Sequence, residues 1–445
     1  MQLLKLKGTF IAATAVVLVL WLLSLPPGAF TGDFWLTRRT LVLGTGVMAF
    51  ALMSLAMVLA VRPVWFETPL GGLDKFYRLH KWLGISAFVF ATAHWVLRLG
   101  PSWITRLDLF VLPPRPPRSA DTSPGFNIFR DLRHAASEVG EWAFYCLAVL
   151  IALALWKRFP YKYFLKSHKL MAVVYLLIVF HSFILMDRSY WPEPIGPVLA
   201  LLMIFGTGAS LMSLFQKIGV SRRAYGKITQ IDLHHGNDVV NVTIKLETAW
   251  PGHEAGQFAF VDFDDPEAAH PFTISSAWKN DGRLSFTIKA LGDYTRTLAD
   301  CLHVGQAVDI EGPYGRFTFK GERHRQIWIG GGVGITPFIA GLKALPDPDQ
   351  DRPVPIDLFY ATKLADPGFT SQIIEIAQRK GVRFHLLEEK DGFLTLDYLE
   401  AFAPDWKDAD IWFCGPAGFG QALRRPMLAG GLPASRFHQE LFEMR

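Results

Sequence analysis

The chain has 445 residues, 51% of them hydrophobic, with a mean hydropathy of +0.23 and a net charge of +5 at pH 7. That length allows several domains, and the crowding of apolar residues into the first half excludes a wholly soluble protein. The modest basic excess, without a basic stripe interleaved with aromatics, gives no case for nucleic-acid binding, and the scattered Cys146, Cys301 and Cys414 offer neither a disulfide framework nor a metal-ligand spacing.

Apolar runs at 9–25, 40–61, 79–97, 139–156, 169–186 and 195–215 are each near the roughly 20 residues that cross a bilayer, so six transmembrane helices are expected. The first run follows Lys5 and Lys7 but lacks a small-residue cleavage pattern before Pro26 and Pro27, which favours a retained helix over a signal peptide. Six crossings put both ends on one side. Lys and Arg number fourteen in the segments assigned inside against nine outside, a modest positive-inside bias. Segment 99–138 is the longest outer loop, and its proline-rich run Leu112–Arg118 is expected to be extended.

His80 and His94 lie in one apolar run and His168 and His181 in another. An ionisable ring in a membrane helix is costly unless it faces a cavity, a partner or a metal. Fourteen residues separate the first two, about 21 Å along a helix, and bring both rings to one face. The thirteen between His168 and His181 leave rings about 140° apart, so a bulge, a tilt or a helix end is expected near one of them. Two haems clamped between two helices, packing roles and proton relay all remain open on the histidines alone. His134, in a polar loop, has no such role.

After Phe215 the pattern changes. Tyr225–Leu233 and Val239–Leu246 alternate as half-buried strands do, and short strands continue to about Phe319, the pattern of a small antiparallel barrel. Within it stands His270-Pro271-Phe272-Thr273-Ile274-Ser275-Ser276, preceded by Gly256-Gln257-Phe258 and followed by Gly292-Asp293-Tyr294-Thr295. An isoalloxazine needs a flat apolar partner, donors near its reactive nitrogen and close backbone approach to its pyrophosphate, and these residue types supply them. Next come the short strand Gln326–Ile329, the turn Gly330-Gly331-Gly332-Val333-Gly334 and a helix opening at Thr336-Pro337. Glycines let the backbone approach a pyrophosphate, and a helix start offers it free N–H groups. Strands and helices then alternate through Ile356–Thr362, Thr370–Lys380, Arg383–Glu388 and Asp410–Phe413, as in a doubly wound parallel sheet.

These motifs together resemble the ferredoxin-reductase superfamily, and the His-Pro-Phe-Thr version resembles its NADPH oxidase and ferric reductase branch. The resemblance implies that His270, Pro271, Phe272 and Thr273 contact FAD, with Ser275, Ser276, Gly292 and Thr295 near its ribityl or phosphate groups. Gly330, Gly331, Gly332, Gly334 and Thr336 would cradle NADPH or NADH, and Cys414, Gly415 and Pro416 would lie beside the nicotinamide. Phe442, in a closing segment Phe437–Phe442, would shield the flavin, and Thr273, Cys414 and Phe442 are the residues assigned to catalysis. Lys363, directly after a strand with no acidic residue beside it, favours a 2′-phosphate and hence NADPH, with Arg379, Lys380 and Arg383 further along.

The histidine spacings of fourteen and thirteen also match that family's bis-haem pattern, which makes His80, His94, His168 and His181 the axial ligands of two b haems. The expected fold is therefore a membrane all-α six-helix bundle over 1–217, an antiparallel β-barrel FAD domain over 218–320 and a doubly wound α/β NAD(P) domain over 321–445. His80 and His168 share the inner level, His94 and His181 the outer. NAD(P)H gives two electrons as hydride and haem iron takes one at a time, so FAD acts as the adaptor. The expected protein sits in the cell membrane with its dehydrogenase in the cytosol, and delivers electrons to a small molecule outside, oxygen or a ferric or cupric complex. The alternatives are delivery to a separate protein docked on the outer loop, and a histidine proton conductor with an accessory reductase.

Overall fold

The structure, a computed structural model, describes residues 2–30, 32–63, 66, 69–107, 111–114, 127–156, 158–264, 269–347 and 355–440. Its contacts divide the chain into two compact units, a helical one made mainly of Leu3–Phe66 and Lys75–Ile218 and one made mainly of Gly219–Met444 that carries the expected reductase motifs.

Among the described residues the helical unit contains six helices long and apolar enough to cross a membrane: α1 (Gln2–Leu23), α2 (Phe34–Ala60), α3 (Leu73–Arg106), α4 (Arg133–Leu155), α5 (Tyr161–Leu185) and α6 (Ile195–Leu214). Asp33 starts α2 by accepting the Leu36 N–H at 2.7 Å, the usual remedy for a helix's orphan donors. α2 is the most deeply packed of the six. Its Phe50 stacks on Tyr175 of α5 at 6.0 Å, and Ser54 bonds the Tyr175 hydroxyl at 2.8 Å. That hydroxyl reaches the Leu202 carbonyl of α6 and fills the space a Cβ on Gly206 would need, so a small residue sets the helix approach where lipid offers no hydrophobic drive.

The connection expected over 99–138 is shorter than the sequence suggests, because α3 continues through Pro101 to Arg106 and α4 already begins at Arg133. A proline inside a helix cannot donate to the carbonyl four residues earlier. Here that carbonyl, on Leu97, accepts the Arg38 Nε at 2.8 Å, and the next, on Arg98, accepts another Arg38 nitrogen at 2.7 Å. Residues 115–118 of the proline-rich run lie outside the described residues. His134 stands in the first turn of α4, 3.3 Å from Glu138 on the exposed side.

In the reductase unit, β1 (Arg223–His234), β2 (Val239–Leu246), β3 (Phe258–Asp262), β4 (His270–Thr273), β5 (Arg283–Lys289) and β6 (Ala307–Tyr314) form a sheet in the order β4-β3-β6-β1-β2-β5. The Ile274–Phe286 bridge joins its two ends into a barrel. Ile228, Val242, Ile244, Val261, Leu284, Phe286 and Ile310 point inward and are almost fully buried, as alternation requires. The helix α7 (Asp293–Cys301), absent from the sequence reading, lies between β5 and β6.

The second sheet is wholly parallel: β7 (Gln326–Gly331), β8 (Ile356–Thr362), β9 (Arg383–Glu388), β10 (Asp410–Cys414) and β11 (Phe437–Gln439), in the order β11-β10-β7-β8-β9. Helices α8 (Thr336–Ala344), α9 (Pro367–Arg379), α10 (Leu396–Phe402) and α11 (Ala417–Ala429) connect them. The order reverses at β7, which sets a crevice at the carboxyl ends of β7 and β10, where such sheets bind ligands. The two domains of this unit share a carboxylate. Asp366 caps α9 through the Phe369 N–H at 2.8 Å and also accepts the Gly236 N–H of the β1–β2 hairpin at 3.1 Å.

Candidate functional site

In the helical unit the four histidines meet in two pairs. The ring centres of His80 and His168 are 5.9 Å apart and those of His94 and His181 6.2 Å, with ring planes crossed at 70° and 85°. α5 is uninterrupted from Tyr161 to Leu185, so neither a bulge nor a helix end absorbs the thirteen-residue spacing; the two imidazoles reach α3 from two flanks of α5. Three rings are anchored at Nδ1: His80 to the Ala56 carbonyl at 2.9 Å, His94 to Val42 at 2.8 Å and His181 to Ala136 at 2.8 Å. An Nδ1–H engaged by a carbonyl leaves Nε2 as the lone-pair nitrogen, which sets ligand orientation and tautomer. The buried Nδ1 of His168 has no hydrogen-bond partner among the described residues.

His94 and His181 line an apolar cavity with Trp95, Arg98, Gly46 and Gly140. A Cβ on Gly140 would overlap the His181 ring, and one on Gly46 would come within 3.1 Å of His94. The Arg98 guanidinium is held by Glu141 at 3.0 Å and Ser137 at 2.7 Å. The sequence reading missed these residues, since only the packing of α2 and α4 against the histidines reveals them. No cluster of three or more His, Cys, Asp or Glu suited to a metal occurs among the described residues. Each pair therefore can offer an ion two nitrogens and little else.

In the barrel, His270 stacks on Tyr294 at 4.1 Å and lies 6.3 Å from Phe272, both nearly coplanar. This brings His270, Phe272, Gly292 and the start of α7 together as a flat shelf beside a helix N-terminus, which suits an aromatic ring system with a phosphate. Tyr294 stood inside the quoted motif without a role. Pro271 pairs with Phe260 and the buried Thr273 with Phe258 in the β3–β4 ladder. Several hydroxyls that the sequence assigns to cofactor serve the fold: Thr295 Oγ1 accepts the Leu291 and Gly292 N–H groups, Ser276 Oγ accepts that of Ser285, and Ser275 is buried.

The glycine turn is shaped largely by packing. A Cβ on Gly334 would overlap the Cys414 carbonyl, one on Gly330 would press Ile335, one on Gly331 would press Phe419, and one on Gly415 would lie 3.1 Å from Gly331. Gly332 has φ +57° and open space beside it, which leaves it as the glycine facing the crevice. Thr336, buried, donates to Val333 within its own turn. Cys414 is fully buried at the end of β10, where burial and then Glu440 push its thiol pKa well up, so it is a neutral thiol. Pro416 precedes α11. Phe442 lies outside the described residues.

Lys363 follows β8 at the carboxyl edge of the sheet, but its company differs from the sequence reading. Arg383 is bound to Asp357 at the amino edge, Lys380 is bound to Asp347, and Arg379 ends α9 beside that same Asp347, so none of the three stands with Lys363. The neighbour of Thr362 across the ladder is Glu388, which is paired with Lys390 and accepts the Ala365 N–H. Hydrogen bonding from Lys390 and then Ala365 lowers the Glu388 pKa. A carboxylate thus stands at the strand tips after all, supplied by β9 rather than β8.

Residues 45–179 match the family model of the ferric reductase like transmembrane component, and residues 225–318 that of an FAD-binding domain. Among curated proteins, the chain is 26% identical over 224 residues to the reductase component of propane 2-monooxygenase from Rhodococcus jostii, covering 46% of this chain and 60% of that one. It is 27% identical over 206 residues to a glycine betaine monooxygenase reductase subunit from Pseudomonas aeruginosa (42% and 55%), and 30% over 202 residues to a flavohemoprotein from Pseudomonas putida (42% and 51%). The chain thus spans little more than half the length of these relatives. Among solved structures, a flavohemoglobin from Malassezia yamatoensis with bound FAD and heme aligns at a TM-score of 0.48 and 16% identity over 91% of this chain and 98% of that one. The chain thus joins a segment that matches the ferric reductase like transmembrane component, within helices long and apolar enough to cross a membrane, to one that matches an FAD-binding domain.

Proposed function

We propose that this protein carries electrons from cytosolic NAD(P)H through FAD and two b haems to an acceptor at the outer face of the cell membrane, either oxygen, giving superoxide, or a ferric or cupric complex. The observation that carries the reading is the meeting of His80 with His168 and of His94 with His181 at ring separations of 5.9 and 6.2 Å. Paired imidazoles at these separations suit a single metal ion held between the two rings. A bare ion would need further protein ligands, and none completes a cluster among the described residues. A haem would need only such a pair of protein nitrogens, so His80 with His168 would hold one and His94 with His181 the other. When bound, haem supplies single-electron carriage.

The protein's own residues have separate tasks in this scheme. The Ala56, Val42 and Ala136 carbonyls hold the Nδ1 side of three histidines and so aim the Nε2 of each. Arg98, the cavity's one Lys or Arg among the described residues, is placed to meet a haem carboxylate. Phe272 and Tyr294 would offer flat faces to the flavin, and Thr273 would offer a hydroxyl to its reactive nitrogen. The buried, neutral Cys414 beside the coenzyme crevice adds no charge and helps exclude water from the hydride path.

Haem content decides the matter. Pyridine haemochrome on purified protein should give two haems per FAD, falling in each of His80→Ala, His94→Ala, His168→Ala and His181→Ala with FAD retained. Unchanged haem in all four variants overturns the assignment, and a haem-free native protein would favour a proton-relay role instead. Assay of the haem-replete protein with oxygen and with ferric chelate then identifies the acceptor; NAD(P)H oxidation with neither rules out the small-molecule reading.

A further inference from the structure

The reductase unit has a second cleft that neither the flavin shelf nor the glycine turn uses. It has a volume of about 430 Å3 and lies between the β4–β5 connection of the barrel and the C-terminal ends of α8 and α9. That volume is in the range of small-molecule sites. Lys279 and Arg283 line it from the barrel, and Lys343, Arg379 and Lys380 from the nucleotide domain, against two carboxylates, Asp281 and Asp347. Both carboxylates are engaged: Asp281 accepts the Arg283 backbone N–H at 3.1 Å, and Asp347 accepts Lys380 Nζ at 2.7 Å. Lys279, Arg283, Lys343 and Arg379 have no ion-pair partner among the described residues.

Like charges facing each other across a cleft repel and raise the local concentration of anions. The surrounding protein, and then Lys279 from the opposite wall, hold the Lys343 ammonium below the usual lysine pKa. The cations are split between two domains, so an anion with one charged centre would satisfy one wall only. The cleft is also remote from the coenzyme phosphates. α8 and α9 run from the carboxyl edge of the sheet, beside Gly332 and Lys363, to the opposite edge, a distance of about 12 Å or more along α8.

We propose that this cleft is a second anion site, separate from the coenzyme site, that takes a ligand carrying two or more phosphate groups and ties the barrel to the nucleotide domain. Arg283 and Arg379 would fork onto phosphate oxygens while the lysines act as point charges. A bound ligand stabilises the folded state by mass action.

The test uses the full-length, FAD-loaded protein in detergent with NADP+ saturating, and inorganic pyrophosphate as the probe. Titration calorimetry should show binding that weakens with added salt. The unfolding midpoint of the reductase unit should rise by roughly 5 °C at a hundredfold excess over the dissociation constant. The double variants Lys279→Ala/Arg283→Ala and Lys343→Ala/Arg379→Ala, one on each wall, should each lose at least tenfold in affinity while FAD content and NADP+ affinity stay native. Absence of binding, displacement of pyrophosphate by NADP+, or indifference to both double variants overturns the proposal. Displacement by nanodiscs containing phosphatidylinositol bisphosphate, but not by phosphatidylcholine alone, identifies the source as a lipid headgroup. Displacement by free polyphosphate or nucleoside triphosphate alone identifies a soluble ligand.

Discussion

The His181 ring occupies the space that a side chain on Gly140 would fill. A methyl group there must push the imidazole away from His94, since both lie on packed helices with little room to yield. Gly140→Ala should therefore reduce haem from two to one per chain with FAD unchanged. Gly84→Ala, on α3 with nothing within 4 Å, should leave both. The pyridine haemochrome to flavin ratio of the two variants checks this, and retention of two haems by Gly140→Ala would exclude the steric role.

The crossed ring planes of 70° and 85° carry a spectroscopic expectation. Axial imidazoles with near-perpendicular planes leave the iron orbitals nearly degenerate, so both oxidised haems should give strongly anisotropic low-spin electron paramagnetic resonance signals. Ordinary rhombic signals from both would show that the rings rotate into parallel planes when the iron is held.

Acid should weaken the nucleotide domain through Asp357. The residue is fully buried at the start of β8, facing Arg325, Arg383 and His385. Burial opposes its charge, but Arg383, His385 and Arg325 outweigh that and hold the carboxyl well below the usual range. A depressed folded pKa contributes stability that is complete above the unfolded value of about 4 and is lost as pH falls from there toward the depressed value. Asp357→Asn should cost about 1.5–3 kcal/mol at pH 7 by removing the charged acceptor of Arg325 and His385, although Arg325 keeps Asp405, and should flatten the stability profile below about pH 4. Thermal unfolding of the reductase unit across pH measures both.

Coenzyme choice rests on the balance at the carboxyl edge of the sheet. Lys363 favours a 2′-phosphate and Glu388 opposes one or serves a 2′-hydroxyl. Lys363→Ala should lower the NADPH to NADH ratio of kcat/KM severalfold, and Glu388→Gln should raise it. A ratio unmoved by both would place the ribose elsewhere.

Thiol accessibility separates the cysteines. Cys301 is exposed and Cys414 buried, with a raised pKa, and the thiolate is the reacting form. Iodoacetamide near pH 7.5 should label Cys301 in the folded protein and Cys414 only after denaturation. Rapid labelling of Cys414 in the native state would argue against its neutral, shielded position.

Some of this was legible from residues alone. Val239–Leu246, Ile356–Thr362 and Arg383–Glu388 match the observed strands residue for residue, because alternation or a bounded apolar run marks both ends. The start of α9 lies three residues before its first apolar repeat, at Asp366-Pro367, a cap and first-turn pair that periodicity does not register. α11 contains Gly418, Gly420 and Pro426, which hide it among breaker residues. The glycines opposite the histidines and Glu388 beside Lys363 belong to neighbouring elements, so their roles exist only once the chain has packed.

The shared carboxylate of Asp366 has a dynamic consequence. One oxygen holds the first turn of α9, and the other holds the hairpin of the neighbouring domain. The nucleotide domain cannot swing away from the barrel without giving up the Gly236 bond, and the aspartate that loses it is the one securing the segment after Lys363. Separation of the two domains and fraying of that first turn are thereby linked, so amide exchange at Phe369 should report on both.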